Sequence, residues 1–230
     1  MIELHYWPTS NGHKITIFLE EAKLAYTIVP VNISKGDQFK PEFLAVSPNN
    51  RMPAIVDRAP ADGGAPIPVF ESGAILVYLA EKIGQFMPKD VRGRKAVLEW
   101  LFWQMGGLGP MSGQRGHFIN VAPKGNEYAL ERYSKETNRL HGVLDKRLAG
   151  REFICDTYSI ADMACYPWVV PHERQQMNLD DFPNLKRWFE AIKARPATIR
   201  AYQIAKDMNT TPAAQASDEA RRLLFGIQKK

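Results

Sequence analysis

The sequence predicts an α/β domain of order βαβ–ββα over residues 1–87, an all-α domain over residues 92–208, and a tail over 209–230. Three observations lead to this division. Strand and helix signals alternate as far as Gly84. Beyond Arg92, long helical patterns follow one another and no strand alternation is convincing. Between the two, Met87-Pro88-Lys89-Asp90 interrupts both patterns.

Glu3–Tyr6 alternates apolar and polar residues and reads as a first strand. Pro8-Thr9-Ser10-Asn11-Gly12 is turn chemistry. From His13 to Leu24 the apolar residues Ile15, Ile17, Phe18, Leu19 and Ala22 fit a helix, with Asn11 as its expected N-cap. Tyr26–Ile33 is β-branched and reads as a strand, and Gln38–Val46 as a short helix. Two prolines and two asparagines make Ser47–Pro53 a loop. Ala54–Val56 and Ile67–Phe70 are strands joined by a loop containing Gly63-Gly64. Ser72 caps a helix running to Ile83, which Gly84 stops. The first half therefore needs a parallel strand pair, and the second an antiparallel hairpin with a closing helix. In the helical domain the patterns cover Arg94–Gln104, Asn126–Leu148, Ile160–Val170 and Leu185–Ala194. Trp100, Phe102, Trp103, Trp168 and Trp188 are expected in its core. In the tail, the Ala/Thr/Pro-rich stretch from Asn209 is expected to be flexible, and Ala220–Phe225 to form a short amphipathic helix.

Composition excludes several classes. The 230 residues are 45% hydrophobic and 24% charged, ordinary for a globular protein. No apolar run approaches the roughly 18 residues of a membrane-spanning helix. Met1-Ile2-Glu3-Leu4-His5 is not a basic stretch followed by an apolar run, so a cytosolic protein is expected. The net charge of +5 is spread along the chain, with Arg221-Arg222 and Lys229-Lys230 the nearest approach to a cluster. That reads as a solvated surface, not a nucleic-acid footprint. Cys155 and Cys165 form no Cys-x-x-Cys pair and read as small buried hydrophobes. His5, His13, His117, His141 and His172 are scattered, so no metal is expected.

Several local motifs carry a resemblance. Glu71-Ser72-Gly73-Ala74-Ile75-Leu76-Val77-Tyr78-Leu79, Ser47-Pro48-Asn49-Asn50-Arg51-Met52-Pro53-Ala54 and Tyr158-Ser159-Ile160-Ala161-Asp162 resemble the glutathione transferase superfamily. In that superfamily a thioredoxin-like N-terminal domain precedes an all-helical one. Pro8-Thr9-Ser10-Asn11-Gly12-His13-Lys14, Lys35-Gly36-Asp37-Gln38-Phe39, Ser72-Gly73-Ala74-Ile75 and the stretch from Trp100 to Met111 resemble more narrowly its nu-class branch of bacterial disulfide-bond oxidoreductases. The resemblance covers about residues 1 to 205 and leaves out the tail.

The resemblance implies a site for glutathione, reduced or oxidised. Ser72, at a helix N-terminus, is expected to take the α-carboxylate, and Glu71 beside it the α-amino group. A cis Met52–Pro53 bond is implied, turning the Met52 backbone toward the cysteinyl backbone of the ligand. Arg51 and Gln38 are expected at the glycyl carboxylate. The turn Pro8-Thr9-Ser10-Asn11 holds no cysteine, so the nucleophile must be the glutathione sulfur. Free thiols titrate at about 8.5. A helix N-terminus and donors on Thr9 and Asn11 lower that value. Ser10 and Tyr6 remain competing candidates for the sulfur, since other transferase classes use serine or tyrosine.

The resemblance further implies a homodimer in which Arg132 reaches the neighbour's glutathione. The expected activity is glutathione-dependent reduction of small disulfides, with two bound glutathiones replacing the missing cysteine pair. Conjugation of glutathione to electrophiles and a non-catalytic, glutathione-sensing regulator are the alternatives.

Overall fold

The computed structural model describes residues 1–208 and 217–225. They form two compact units. One is Met1–Lys82 with the described residues from Ile199 onward, and the other is Ile83–Thr198.

The first unit carries a four-stranded sheet of order β2-β1-β3-β4. β1 (Ile2–Tyr6) pairs parallel with β2 (Tyr26–Pro30), Leu4 opposite Ile28. It pairs antiparallel with β3 (Ala54–Asp57), Leu4 opposite Ile55. β4 (Ile67–Phe70) pairs antiparallel with β3. β1 is buried at every second residue, as its alternation requires, whereas β3 is buried throughout. α1 (Ser10–Ala22) connects β1 and β2, and α3 (Ser72–Ile83) follows β4. The βαβ–ββα order is thus present. Gly12 is required where α1 leaves β1, since a Cβ there would meet Trp7 O at 2.4 Å and the Tyr6 ring at 2.8 Å.

Between β2 and β3 the single expected helix is divided. Two 3₁₀ turns, Ile33–Lys35 and Asp37–Phe39, flank Gly36 at φ 81°, and only Pro41–Leu44 (α2) is α-helical. The expected helix Gln38–Val46 breaks at Lys40, which is extended at ψ 141° because the residue before a proline avoids the helical region. α10 (Asp218–Phe225) packs on the first of these turns, with Leu223 over Gly36. Residues 209–216 and 226–230 of the expected tail lie outside the described residues, including the stretch from Asn209 expected to be flexible.

The second unit is helical: α4 (Val91–Trp103), a π-helical turn (Gln104–Leu108), α5 (Gly109–Asn120), α6 (Glu127–Leu148), α7 (Ile160–Val169) and α8 (Pro183–Lys193). α9 (Pro196–Asp207) follows. α5 and α9 have no counterpart in the sequence prediction. α5 opens Gly-Pro and contains two further glycines, so its propensity is poor and its periodicity weak. α7 carries the capping box in full: Ser159 accepts from Ala161 N–H, and Asp162 accepts from Ser159 N–H at 3.0 Å. Trp188 is fully buried, but Trp100, Trp103 and Trp168 are half-buried. Phe102 is 70% exposed, so its core assignment is corrected. It lies on the outer side of α4, while Val97 and Leu101 face inward.

Candidate active site

Two helix N-termini meet at one pocket of the first unit. α1 begins at Ser10 because Thr9 has the extended backbone of a cap, φ −136° and ψ 161°, and its Oγ accepts from Gly12 N–H at 3.1 Å. The expected cap, Asn11, is corrected by this: it is the second residue of the helix. α3 begins where the Glu71 carbonyl accepts from Ile75 N–H at 2.9 Å. Glu71 itself is left-handed at φ 68°, a conformation that costs a non-glycine residue on the order of 1 kcal/mol.

Asn11, Arg51, Met52, Pro53, Glu71 and Ser72 line the pocket, of about 260 Å³. The Met52–Pro53 bond is cis. Thr9 Oγ donates to Met52 Sδ at 3.4 Å, tying the α1 cap to this loop. Ser47 Oγ donates to the Arg51 carbonyl at 2.8 Å, and Asn49 Nδ2 to Glu71 Oε1 at 3.4 Å. Helix N-termini carry partial positive charge, and Arg51 adds a full one. Glu71 supplies the opposite sign. A ligand with more than one carboxylate and a single ammonium group complements this arrangement.

Residues 1–81 match the glutathione S-transferase N-terminal domain, and residues 106–196 the glutathione S-transferase C-terminal domain. The disulfide-bond oxidoreductase YfcG of Escherichia coli is 56% identical over 202 residues, 87% of this chain and 94% of that protein. This chain belongs to the glutathione S-transferase family. A glutathione transferase from Burkholderia graminis, solved with two glutathione molecules per subunit, is 46% identical with a TM-score of 0.80. That match covers 87% of this chain and 86% of the other. A glutathione transferase from Pseudomonas putida, solved with one glutathione disulfide per subunit, is 43% identical with a TM-score of 0.84. It covers 88% of this chain and 91% of the other.

Against this glutathione S-transferase frame, the residues singled out in the sequence separate. Thr9, Asn11, Arg51, Met52, Pro53, Glu71 and Ser72 come together at or beside the pocket. Gln38 is not among its lining residues: it is 3% exposed and its Nε2 donates to the Ile33 carbonyl at 3.2 Å. Arg132 is exposed on α6 in the second unit, where Tyr128, Glu136 and Arg139 share with it the wall of a pocket of about 680 Å³. Of the rival sulfur partners, Ser10 is half-buried and does not line the 260 Å³ pocket. Tyr6 is fully buried with its hydroxyl 3.4 Å from His13 Nδ1, and burial pushes its pKa above the usual phenol range. His13 stacks on Tyr202 with ring centroids 4.0 Å apart, and burial pulls its pKa down to about 4.

Sequence reasoning missed Lys14. It is 1% exposed, and its Nζ donates to Ser72 Oγ at 3.2 Å. A lysine reads as surface by residue type, so its spacing from Asn11 along one helix face was the available signal. Cys155 and Cys165 are both buried in the second unit, and burial pushes the Cys155 thiol up to about 11. Among the described residues no group of three His, Cys, Asp or Glu is placed to hold a metal, and no helix is long and apolar enough to cross a membrane.

Proposed function

We propose that this chain is a glutathione-dependent disulfide-bond oxidoreductase that uses the thiol of bound glutathione as its redox sulfur. The observation that carries this reading is the pocket itself: two helix N-termini, Arg51 and Glu71 surround it, and the turn at its edge has no cysteine. Glutathione, with two carboxylates and one ammonium, complements those charges and brings the missing sulfur. The high identity to YfcG and the glutathione-bound relatives support the same reading.

Residues 1–87 serve as the glutathione-binding domain, residues 92–208 as the helical domain, and 209–230 as a tail. Ser72 takes the α-carboxylate at the start of α3, and Glu71 the α-amino group. The Met52 backbone, before Pro53, pairs with the cysteinyl backbone. Arg51 takes the glycyl carboxylate, and Gln38 serves that end through the Ile33–Phe39 segment that it ties. Thr9 and Asn11 donate to the sulfur and, with the α1 N-terminus, favour the thiolate at neutral pH. The partner subunit's Arg132 completes the site in a homodimer, a guanidinium being suited to carboxylate recognition.

The thiolate attacks one sulfur of a disulfide substrate. A glutathione–substrate mixed disulfide forms and a substrate thiolate leaves. A second glutathione thiolate attacks the glutathionyl sulfur, so that glutathione disulfide forms and the second substrate thiolate leaves. Each thiolate takes a proton from solvent. Two glutathiones are oxidised and one disulfide is reduced.

Titration with oxidised glutathione, together with turnover of hydroxyethyl disulfide, tests the reading. Tight binding of one glutathione disulfide per subunit and steady disulfide reduction are expected. Binding of a single glutathionyl unit, with chlorodinitrobenzene conjugated and hydroxyethyl disulfide untouched, would make the chain a conjugating transferase.

A further inference from the structure

We propose that Lys14 is a positioning residue for the ligand's α-carboxylate, acting through Ser72. The proposal rests on the glutathione reading of the pocket and goes further by naming what orients its anion receptor.

Lys14 and Ser72 are 1% and 4% exposed, and the lysine Nζ donates to Ser72 Oγ at 3.2 Å. A lysine ammonium has three donors and no acceptor. The Ser72 hydroxyl therefore accepts from Lys14 and cannot direct its own proton there. The bond holds the Ser72 hydroxyl in one orientation at the start of α3, on the wall of the pocket. Lys14 follows Asn11 by three positions on α1, so one helix face brings the lysine to Ser72 and the asparagine to the pocket. The hydrogen bond lies directly behind the start of α3. An interaction of this kind strengthens where water is excluded. Lys14 does not itself line the pocket but bonds to Ser72, which does, so its effect on the ligand is indirect.

The test is calorimetric titration of reduced glutathione into the full chain and its Lys14→Met, Ser72→Ala and double variants, with melting curves as a check on folding. Lys14→Met and Ser72→Ala are each expected to raise Kd about 10- to 100-fold, the range of a charge-assisted hydrogen bond. The double variant is expected to bind no more weakly than the weaker single one, since both act on one contact. Glutathione with its α-carboxylate converted to an amide is expected to bind the wild type and Lys14→Met alike. Should Lys14→Met fail to fold, Lys14→Gln, which keeps an N–H donor without the charge, takes its place and is expected to bind glutathione more weakly than wild type. If Ser72→Ala weakens binding while the lysine variant binds as wild type, or if the two effects multiply, the Lys14 proposal is overturned and the pocket reading stands. If Ser72→Ala itself binds glutathione as wild type does, the pocket reading fails, and the Lys14 proposal with it.

Discussion

The hydroxyl of Thr9 joins the first turn of α1 to the loop before Pro53: it accepts from Gly12 N–H and donates its one proton to Met52 Sδ at 3.4 Å. A thioether is a weak acceptor, whereas a thiolate is a charged one. A thiolate brought to this edge of the pocket competes for that proton and wins it. Thr9→Val removes the cap acceptor and the donor together. Stability is expected to fall by about 1 kcal/mol in denaturant melts. The kcat/KM for hydroxyethyl disulfide is expected to fall about tenfold, and Thr9→Ser to restore both. A variant less stable but fully active would leave Thr9 as a cap alone.

Asn11 lines the pocket on the first turn of α1, where a side-chain amide can donate to the ligand sulfur. A donor to the thiolate favours the charged form and lowers its pKa. Removing that donor raises the pKa, so less thiolate exists at neutral pH. Asn11→Ala is expected to move the alkaline-rising limb of activity up by about one pH unit, a tenfold loss at neutral pH that higher pH recovers. Asn11→Asp, which sets a negative charge by the sulfur, is expected to move it further. Thiolate absorbance of the bound ligand, followed against pH, gives the same shift directly. An unmoved profile with an unchanged Kd would remove Asn11 from the chemistry.

Tyr6 shares the end of β1 with the transferases that activate sulfur by tyrosine, yet its hydroxyl is buried against His13. Tyr6→Phe is therefore expected to keep kcat/KM within about twofold and to cost about 1 kcal/mol of stability or less. Steady-state rates and a melt decide it. A large loss of activity with the fold intact would return Tyr6 to the site and displace Thr9 and Asn11.

Much of this arrangement was legible in the residues, for different reasons in different places. The alternation of Glu3–Tyr6 placed β1, which buries every second residue, and short β-branched or apolar runs between turn signals placed the other three strands. Glu71-Ser72 marked a helix start, and Ser159 with Asp162 a complete capping box, because caps are local chemistry. What stayed hidden depends on neighbours distant in sequence or on weak local signals. Thr9 displaced Asn11 as the α1 cap because the extended backbone lies at residue 9. Phe102 reads as core by type, but the inward side of α4 belongs to Val97 and Leu101. Gly109-Pro110 concealed the start of α5. Lys14 reads as surface by type, yet it is buried with its Nζ on Ser72 at the start of α3, a residue distant in sequence.

The helical unit has its own buried anion, and its pH dependence runs opposite to that of most carboxylates. Asp162 is fully buried, with Oδ1 accepting from Ile154 N–H at 3.0 Å and Trp188 Nε1 at 2.8 Å. Its Oδ2 accepts from Ser159 N–H and Oγ at 3.0 and 3.2 Å. Burial pushes its pKa up to about 6 from an ordinary 3.8, against the pull of those donors. Below about 3.8 both the folded and unfolded chains are protonated here, and the contribution to stability is fully present. As pH rises toward about 6 the unfolded chain has released its proton and the folded chain still holds one, so stability is lost. The difference between wild type and Asp162→Asn is expected to shrink by about 3 kcal/mol across that window and to stay level above it. Urea melts of both proteins at a series of pH values measure this, and a difference that is flat or grows with pH would refute it. Asp162→Ala, which leaves Trp188, Ile154 and Ser159 without their acceptor, is expected to lose about 3 kcal/mol or more at neutral pH.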